Sequence, residues 1–200
     1  MPSSRRLTVI APFATVPLCV FLLAGCGFLE PTTTATPSVP AGSPSATSAP
    51  DPGTTSSPAP EPGVPIGIDC DALVTAQAMY DFNPNFALQS DFAPTAGSPG
   101  AEAVADSGIA CSWVNLTSGQ TIEISAAQPG PSELEARRSE VAASSNSVPT
   151  YIVEGFFILA DGIGRADAFD GPYWVTMTSE LFFEPGDVAP LMAAAVGALG

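Results

Sequence analysis

Carboxylates and thiols are the reactive side chains that this 200-residue sequence offers, with twenty Asp and Glu, four Cys and no His. Without an imidazole there is no Ser-His-Asp or Cys-His nucleophile, no histidine base and no His-ligated metal. Two Asp or Glu flanking a glycosidic bond can cleave it without His, so the carboxylates open a glycan-acting reading. No spacing singles out such a pair, and carboxylates this numerous are more often a solvating surface. The stretch Asp161 to Gly171 lacks the Asp-x-Asp-x-Asp-Gly order of a calcium loop and contains Arg165, so it reads as turn chemistry. Asn115-Leu116-Thr117 fits the N-glycosylation triplet inside a hairpin, where it reads as coincidence. Five basic residues, all Arg, against a formal charge of -15 exclude a nucleic-acid partner, which needs clustered cations. No metal or cofactor is expected.

Two of the thiols lie in an amino-terminal export layout. Arg5 and Arg6 supply a positive region, Leu7 to Ala24 an apolar one, and Leu23-Ala24-Gly25-Cys26 a small-residue cleavage region. Pro12 and Pro17 interrupt the apolar run and no charged stop-transfer segment follows, so it is not built to remain a membrane helix. Leu-Ala-Gly-Cys resembles the lipobox of bacterial lipoproteins. That resemblance implies removal of residues 1–25 and acylation of Cys26, which then anchors the chain to the outer face of the cell membrane. The alternative is an ordinary secretory signal cut near Gly25. Ser4-Arg5-Arg6-Leu7 partly matches a twin-arginine signal, and the export route stays open. At about 0.8 kcal/mol per buried methylene, two or more acyl chains hold durably where one only visits.

Residues 26–65 follow as a tether rich in Pro, Thr and Ser, with too little apolar surface to offset its ordering entropy. Its stretch from Pro31 to Pro65, fully extended, spans up to roughly 100 Å. Residues 66–200 then form one extracytoplasmic domain, with seventeen carboxylates against Arg137, Arg138 and Arg165. Such a domain is repelled by anionic headgroups and polymers and stands off the bilayer.

Hydrophobic periodicity predicts the domain's elements. A helix runs from Asp69 to Tyr80 with Cys70, Leu73 and Val74 on one face, and Asn83-Pro84 stops it. Phe82-Asn83-Pro84-Asn85-Phe86 is either a recognition loop or an aromatic anchor at the helix exit. A Pro, Gly and Ala-rich loop reaches Gly108. Strands 109–115 and 121–126 alternate around a Ser118-Gly119 turn, placing Trp113 opposite Ile124 and Cys111 opposite Ala126. Ser132 and Glu135 have capping-box spacing for a helix to about Ala143. Strand 153–160 turns at Asp161-Gly162. A second hairpin turns at Asp170-Gly171, pairing Ala168 with Tyr173 and Ala166 with Val175. Asp187 caps a last amphipathic helix. The order implies an α+β fold, an antiparallel sheet of four to five strands with helices mainly on one face.

Cys70 and Cys111 are the thiols left in the exported domain, and an even count in an oxidising compartment reads as a disulfide. A redox pair or zinc site lacks Cys-x-x-Cys spacing and His. On a one-sided sheet the strand face carrying Arg165, Asp167, Trp174 and Thr176 is exposed and open to a ligand. The competing expectation is that a loop such as Asp91 to Gly108 covers Trp174.

With the lipobox and tether, Asp69-Cys70-Asp71-Ala72-Leu73, Phe82 to Phe86, Cys111-Ser112-Trp113 and Tyr173-Trp174-Val175 resemble small actinobacterial lipoproteins that carry a paired-Cys domain of unknown function. The resemblance implies no catalytic residue. The expected role is a membrane-anchored, non-enzymatic binding module for an envelope protein or small ligand, with a cell-wall glycan enzyme as the alternative.

Overall fold

The computed structural model describes residues 61–200; the export signal, Cys26 and the tether up to residue 60 lie outside the described residues. The elements are α1 (Cys70–Leu73), α2 (Ala76–Phe82), β1 (Phe86–Leu88), α3 (Pro99–Ala105), β2 (Ile109–Asn115), β3 (Thr121–Ala127), α4 (Pro131–Ser144), β4 (Asn146–Ser147), β5 (Glu154–Ala160), β6 (Ile163–Asp170), β7 (Tyr173–Ser179) and α5 (Pro185–Leu199). All seven strands pair antiparallel in the order β1-β2-β3-β7-β6-β5-β4. The α+β class and antiparallel sheet agree with the periodicity. The strand number exceeds the expected four to five, because three-residue β1 and two-residue β4 are too short to alternate legibly.

Helices cover both sheet faces, not mainly one. On the first face Cys111, Trp113, Ile122, Ile124, Ala166, Ala168, Val175 and Met177 pack with Leu73 of α1, Met79 of α2 and Val188, Leu191, Met192 and Ala195 of α5. Each fully buried Leu or Val there contributes roughly 2 kcal/mol of transfer free energy. On the second face Ala127, Phe156, Phe169 and Trp174 pack with Ala103 of α3 and with Leu134 and Val141 of α4. The segment read as a loop up to Gly108 contains α3, capped by Ser98, whose hydroxyl accepts the Ala101 N–H at 3.2 Å.

Turn chemistry shifts both expected hairpin registers by two residues. Asn115 Oδ1 accepts the N–H groups of Thr117 and Ser118, each at 3.0 Å, and the Asn115 carbonyl accepts Gly119 N–H. The loop is thereby four residues long, and Trp113 faces Ile122 while Cys111 faces Ile124. The second loop is Gly171-Pro172, with Gly171 at φ 54°, so Ala168 faces Val175 and Ala166 faces Met177. A slip of two preserves the alternation, and every apolar residue keeps its side. The Asp161-Gly162 turn is as expected, both residues at positive φ as a type I′ hairpin loop requires.

The first helix breaks in two. Val74 is extended and Thr75 restarts the chain as α2, accepting Ala78 N–H at 3.1 Å. Ser132 and Glu135 form no capping box; α4 opens at Gly130-Pro131 and Glu135 pairs with Arg138 instead. Asp187 does cap α5, from its third position, by accepting the Phe183 and Glu184 N–H groups. Cys70 and Cys111 are disulfide-bonded, their Cα atoms 5.7 Å apart, tying α1 to β2. Val64 bridges Gln128, its N–H donating at 2.8 Å, so ordered packing starts ahead of residue 66.

Candidate functional site

Strand alternation sends Arg165, Asp167 and Phe169 of β6 and Trp174, Thr176 and Thr178 of β7 to the second face. Across β3 the same rows continue as Ser125 beside Thr176 and Glu123 beside Thr178, and across β2 as Ser112 beside Glu123. A polar strip thus crosses the sheet next to the aromatic patch under α4. Cross-strand neighbours this close must satisfy one another or water.

Asp167 is the centre of that strip and is fully buried. Its Oδ1 accepts Trp174 Nε1–H at 3.0 Å and Arg165 Nη2–H at 3.1 Å, while Arg165 Nε lies 2.8 Å from Oδ2. A buried carboxylate held by a guanidinium and an indole N–H is compensated, and one left without them would be costly. Above the same indole, the Arg137 guanidinium carbon stands 4.2 Å from the Trp174 ring centroid. Arg137 pairs with Glu102, with Asp106 at 3.4 Å and with Glu133 at 3.1 Å, joining α3 to α4 across the tryptophan. Arg138 sits over the Phe169 ring at 5.2 Å and pairs with Glu135 and Glu154. Burial raises the Asp106 carboxyl above its ordinary range, outweighing the pull of Arg137, with Glu133 and Glu102 adding to the rise.

Arg165, Asp167, Trp174 and Thr176 are therefore brought together on one face, as their alternation implies, but they do not form an exposed ligand face. Trp174 is 0% exposed, and Asp167 and Thr176 are buried with it. The physical reason is the second helical layer: α3, inside the segment suspected of covering Trp174, and α4 above it. Arg137, which the sequence reading passed over, supplies the lid. Its signals were the i,i+4 spacing from Glu133 and the scarcity of cations. The Asn115 amide oxygen accepts the Thr117 and Ser118 N–H groups, so the asparagine of the triplet shapes its own turn.

Access to the polar strip comes at its end. A cleft there is lined by Gln120, Thr121, Glu123, Ile163, Thr178 and Glu180. Burial alone raises the Glu123 carboxyl above its ordinary range. The signal for Glu123 was a carboxylate between Ile122 and Ile124 in an alternating strand, which must point away from the core. A second open cleft lies at the end of β1, formed by residues 88–93. Among the described residues no group of three or more His, Cys, Asp or Glu is placed to hold a metal ion. No helix among them is long and apolar enough to cross a membrane. Comparison with protein families, with curated proteins and with solved structures finds no match to this chain.

Proposed function

We propose that this chain is a lipid-anchored protein of the outer face of the cell membrane, held through Cys26, whose domain is a non-enzymatic binding module for an envelope protein or small ligand. The observation that carries the reading is the division of labour on the second sheet face. The Arg165, Asp167, Trp174 and Arg137 network makes a rigid polar platform, and open clefts lie at the sheet's margins. A stiff scaffold with open polar margins suits recognition better than turnover, which needs water excluded. The test is crosslinking in intact cells with the anchored chain as bait. Recovery of one stoichiometric envelope partner supports binding, and recovery of none over repeated crosslinker lengths refutes it. Replacing Cys26 by Ala should leave the protein unprocessed or shed into the medium; unchanged partitioning into the detergent phase refutes the anchor.

A second reading, a glycan-acting enzyme, is favoured by one observation: Glu123 and Glu180 share a cleft and the Glu123 carboxyl is raised, as a general acid requires. Release of soluble fragments from purified cell-wall glycan, abolished by Glu123→Gln and by Glu180→Gln, would establish it. Equal release by wild type and both variants would discard it.

A further inference from the structure

We infer that the outer edge of β1 is a strand-addition site for an extended, basic segment of a partner protein, an inference that rests on the binding reading above and locates its site. Among the described residues β1 ends the sheet and pairs only with β2. Gln89 N–H donates to the Ser112 carbonyl at 2.8 Å and Leu116 N–H to the Asn85 carbonyl at 2.9 Å. Residues 85, 87 and 89 therefore turn their backbone groups toward β2. By the same alternation the Leu88 N–H and C=O and the Phe86 C=O point outward, and among the described residues no backbone group meets them.

Unpaired edges template the pairing of another chain, and proteins blunt them by shortening the strand or with Lys, Pro, bulges or a covering segment. β1 is kept to 3 residues, so an added strand gains few main-chain bonds there and draws the rest of its affinity from side chains. At the opposite margin β5 is partly covered by β4, which pairs with Phe156 and Phe157. Phe86-Ala87-Leu88-Gln89-Ser90 carries no charge and no Pro. At its carboxyl end opens a cavity of about 510 Å³ lined by Leu88, Gln89, Ser90, Asp91 and Phe92. That is the arrangement of strand addition: main-chain bonds supply affinity and a flanking cavity takes alternate side chains of the incoming strand.

Charge selects the occupant. The domain's Arg137, Arg138 and Arg165 are all committed to carboxylates on the second sheet face, and Asp91 lines the cavity. A second copy of this chain, with seventeen carboxylates against three Arg in its domain, is repelled, whereas a segment with Lys or Arg at its ends is drawn in. The Phe82 to Phe86 segment then acts as the anchor that aims the edge. Phe82 and Phe86 rings lie 6.2 Å apart and pack against the first-face core.

The test uses the full lipidated chain in detergent micelles and the peptide Lys-Val-Thr-Val-Thr-Val-Lys. Binding should slow amide exchange at Leu88 at least tenfold, and the same peptide with Glu at both ends should bind at least tenfold more weakly. Leu88→Pro removes the outward N–H at a position where an edge strand tolerates Pro, together with a half-buried side chain packed against the first-face core, so the melting temperature falls modestly, and the folded variant should bind the basic peptide at least tenfold more weakly. Ser90→Pro, at an exposed residue, gives the same readout should Leu88→Pro fail to fold. Equal affinity of the peptide for wild type and the folded variant overturns the proposal, as does protection appearing elsewhere. Crosslinking in cells separates it from its premise. A partner captured by wild type and variant alike overturns the edge and leaves the binding reading standing, whereas capture by neither removes both.

Discussion

Arg137→Ala removes the one cation around which Glu102, Asp106 and Glu133 converge, and uncovers the Trp174 indole beneath it. The Arg137 side chain is 9% exposed, so its stacking on the ring is desolvated and contributes about 1–2 kcal/mol. Glu102 and Glu133 remain 44% and 43% exposed, so their screened pairs together contribute no more than about 1 kcal/mol. The Asp106 pair, at 3.4 Å, adds little, since burial already outweighs it in setting that carboxyl. Losing the apolar stem over the ring costs about 1 kcal/mol more. The expected loss is therefore about 3 kcal/mol, the lower end of what breaking a buried ion pair costs. For a domain this size that lowers Tm by roughly 10 °C. Arg137→Lys keeps the charge but not the planar stack and should lose about half as much. Urea unfolding at neutral pH with the disulfide intact, followed by tryptophan fluorescence, measures both. A loss below about 1 kcal/mol for Arg137→Ala, or equal losses for Ala and Lys, would refute the reasoning.

Removing the Cys70 to Cys111 bridge by a double Ser substitution should cost about 4 kcal/mol, since 41 residues separate the two cysteines; a change under about 1 kcal/mol in urea would contradict that loop-entropy argument. Glu123 and Asp106 both have raised carboxyls in the fold, so the native state holds more protons than the unfolded chain above the ordinary carboxylate range. Stability then rises as pH falls from neutral toward that range, and Glu123→Gln should flatten the rise. A melting temperature that drops over the same interval in wild type sinks this account. Gly164→Ala should cost more than about 3 kcal/mol, because a Cβ there would strike the Phe182 backbone. Gly197→Ala, at an exposed position of α5 with nothing nearby, should gain about 0.5 kcal/mol; comparable effects at the two sites would show the close approach at Gly164 to be unimportant.

How far these features could be read from the sequence depended on whether one residue's neighbours decide them. β2, β3, β6 and β7 alternate for seven or eight residues and α5 keeps its apolar stripe through five buried positions, so both are visible locally. The registers were not, because they hang on which N–H groups the Asn115 side chain captures and on Pro172 entering the loop beside Gly171. The break between α1 and α2 was hidden because Val74 and Thr75 suit either helix or extended backbone. The second face was misread for a deeper reason. Arg165, Asp167, Thr176 and Thr178 form the polar half of an alternating pattern, and a binary pattern assigns such residues to water. Whether they meet water or a second helical layer is a long-range fact, set by α3 and α4, the nearer of which ends at Ser144, well before β6 begins at Ile163. Trp174 was the one local sign that the face had a partner.

Cation placement links that burial to function. All three Arg of the domain end on the second face, Arg137 over Trp174, Arg138 over Phe169 and Arg165 against Asp167, each neutralised by at least one carboxylate. Carboxylates outnumber them, so the remaining solvent-facing charge is negative only. Such a surface excludes its own copies and anionic polymers through the same field. On the proposed binding reading the uncharged β1 edge is then where a partner approaches with the least carboxylate desolvation, the costly step in polar association, and Asp91 at its end meets a basic side chain. On the proposed binding reading, the network that makes Trp174 unavailable to a ligand also moves recognition to the sheet's margin.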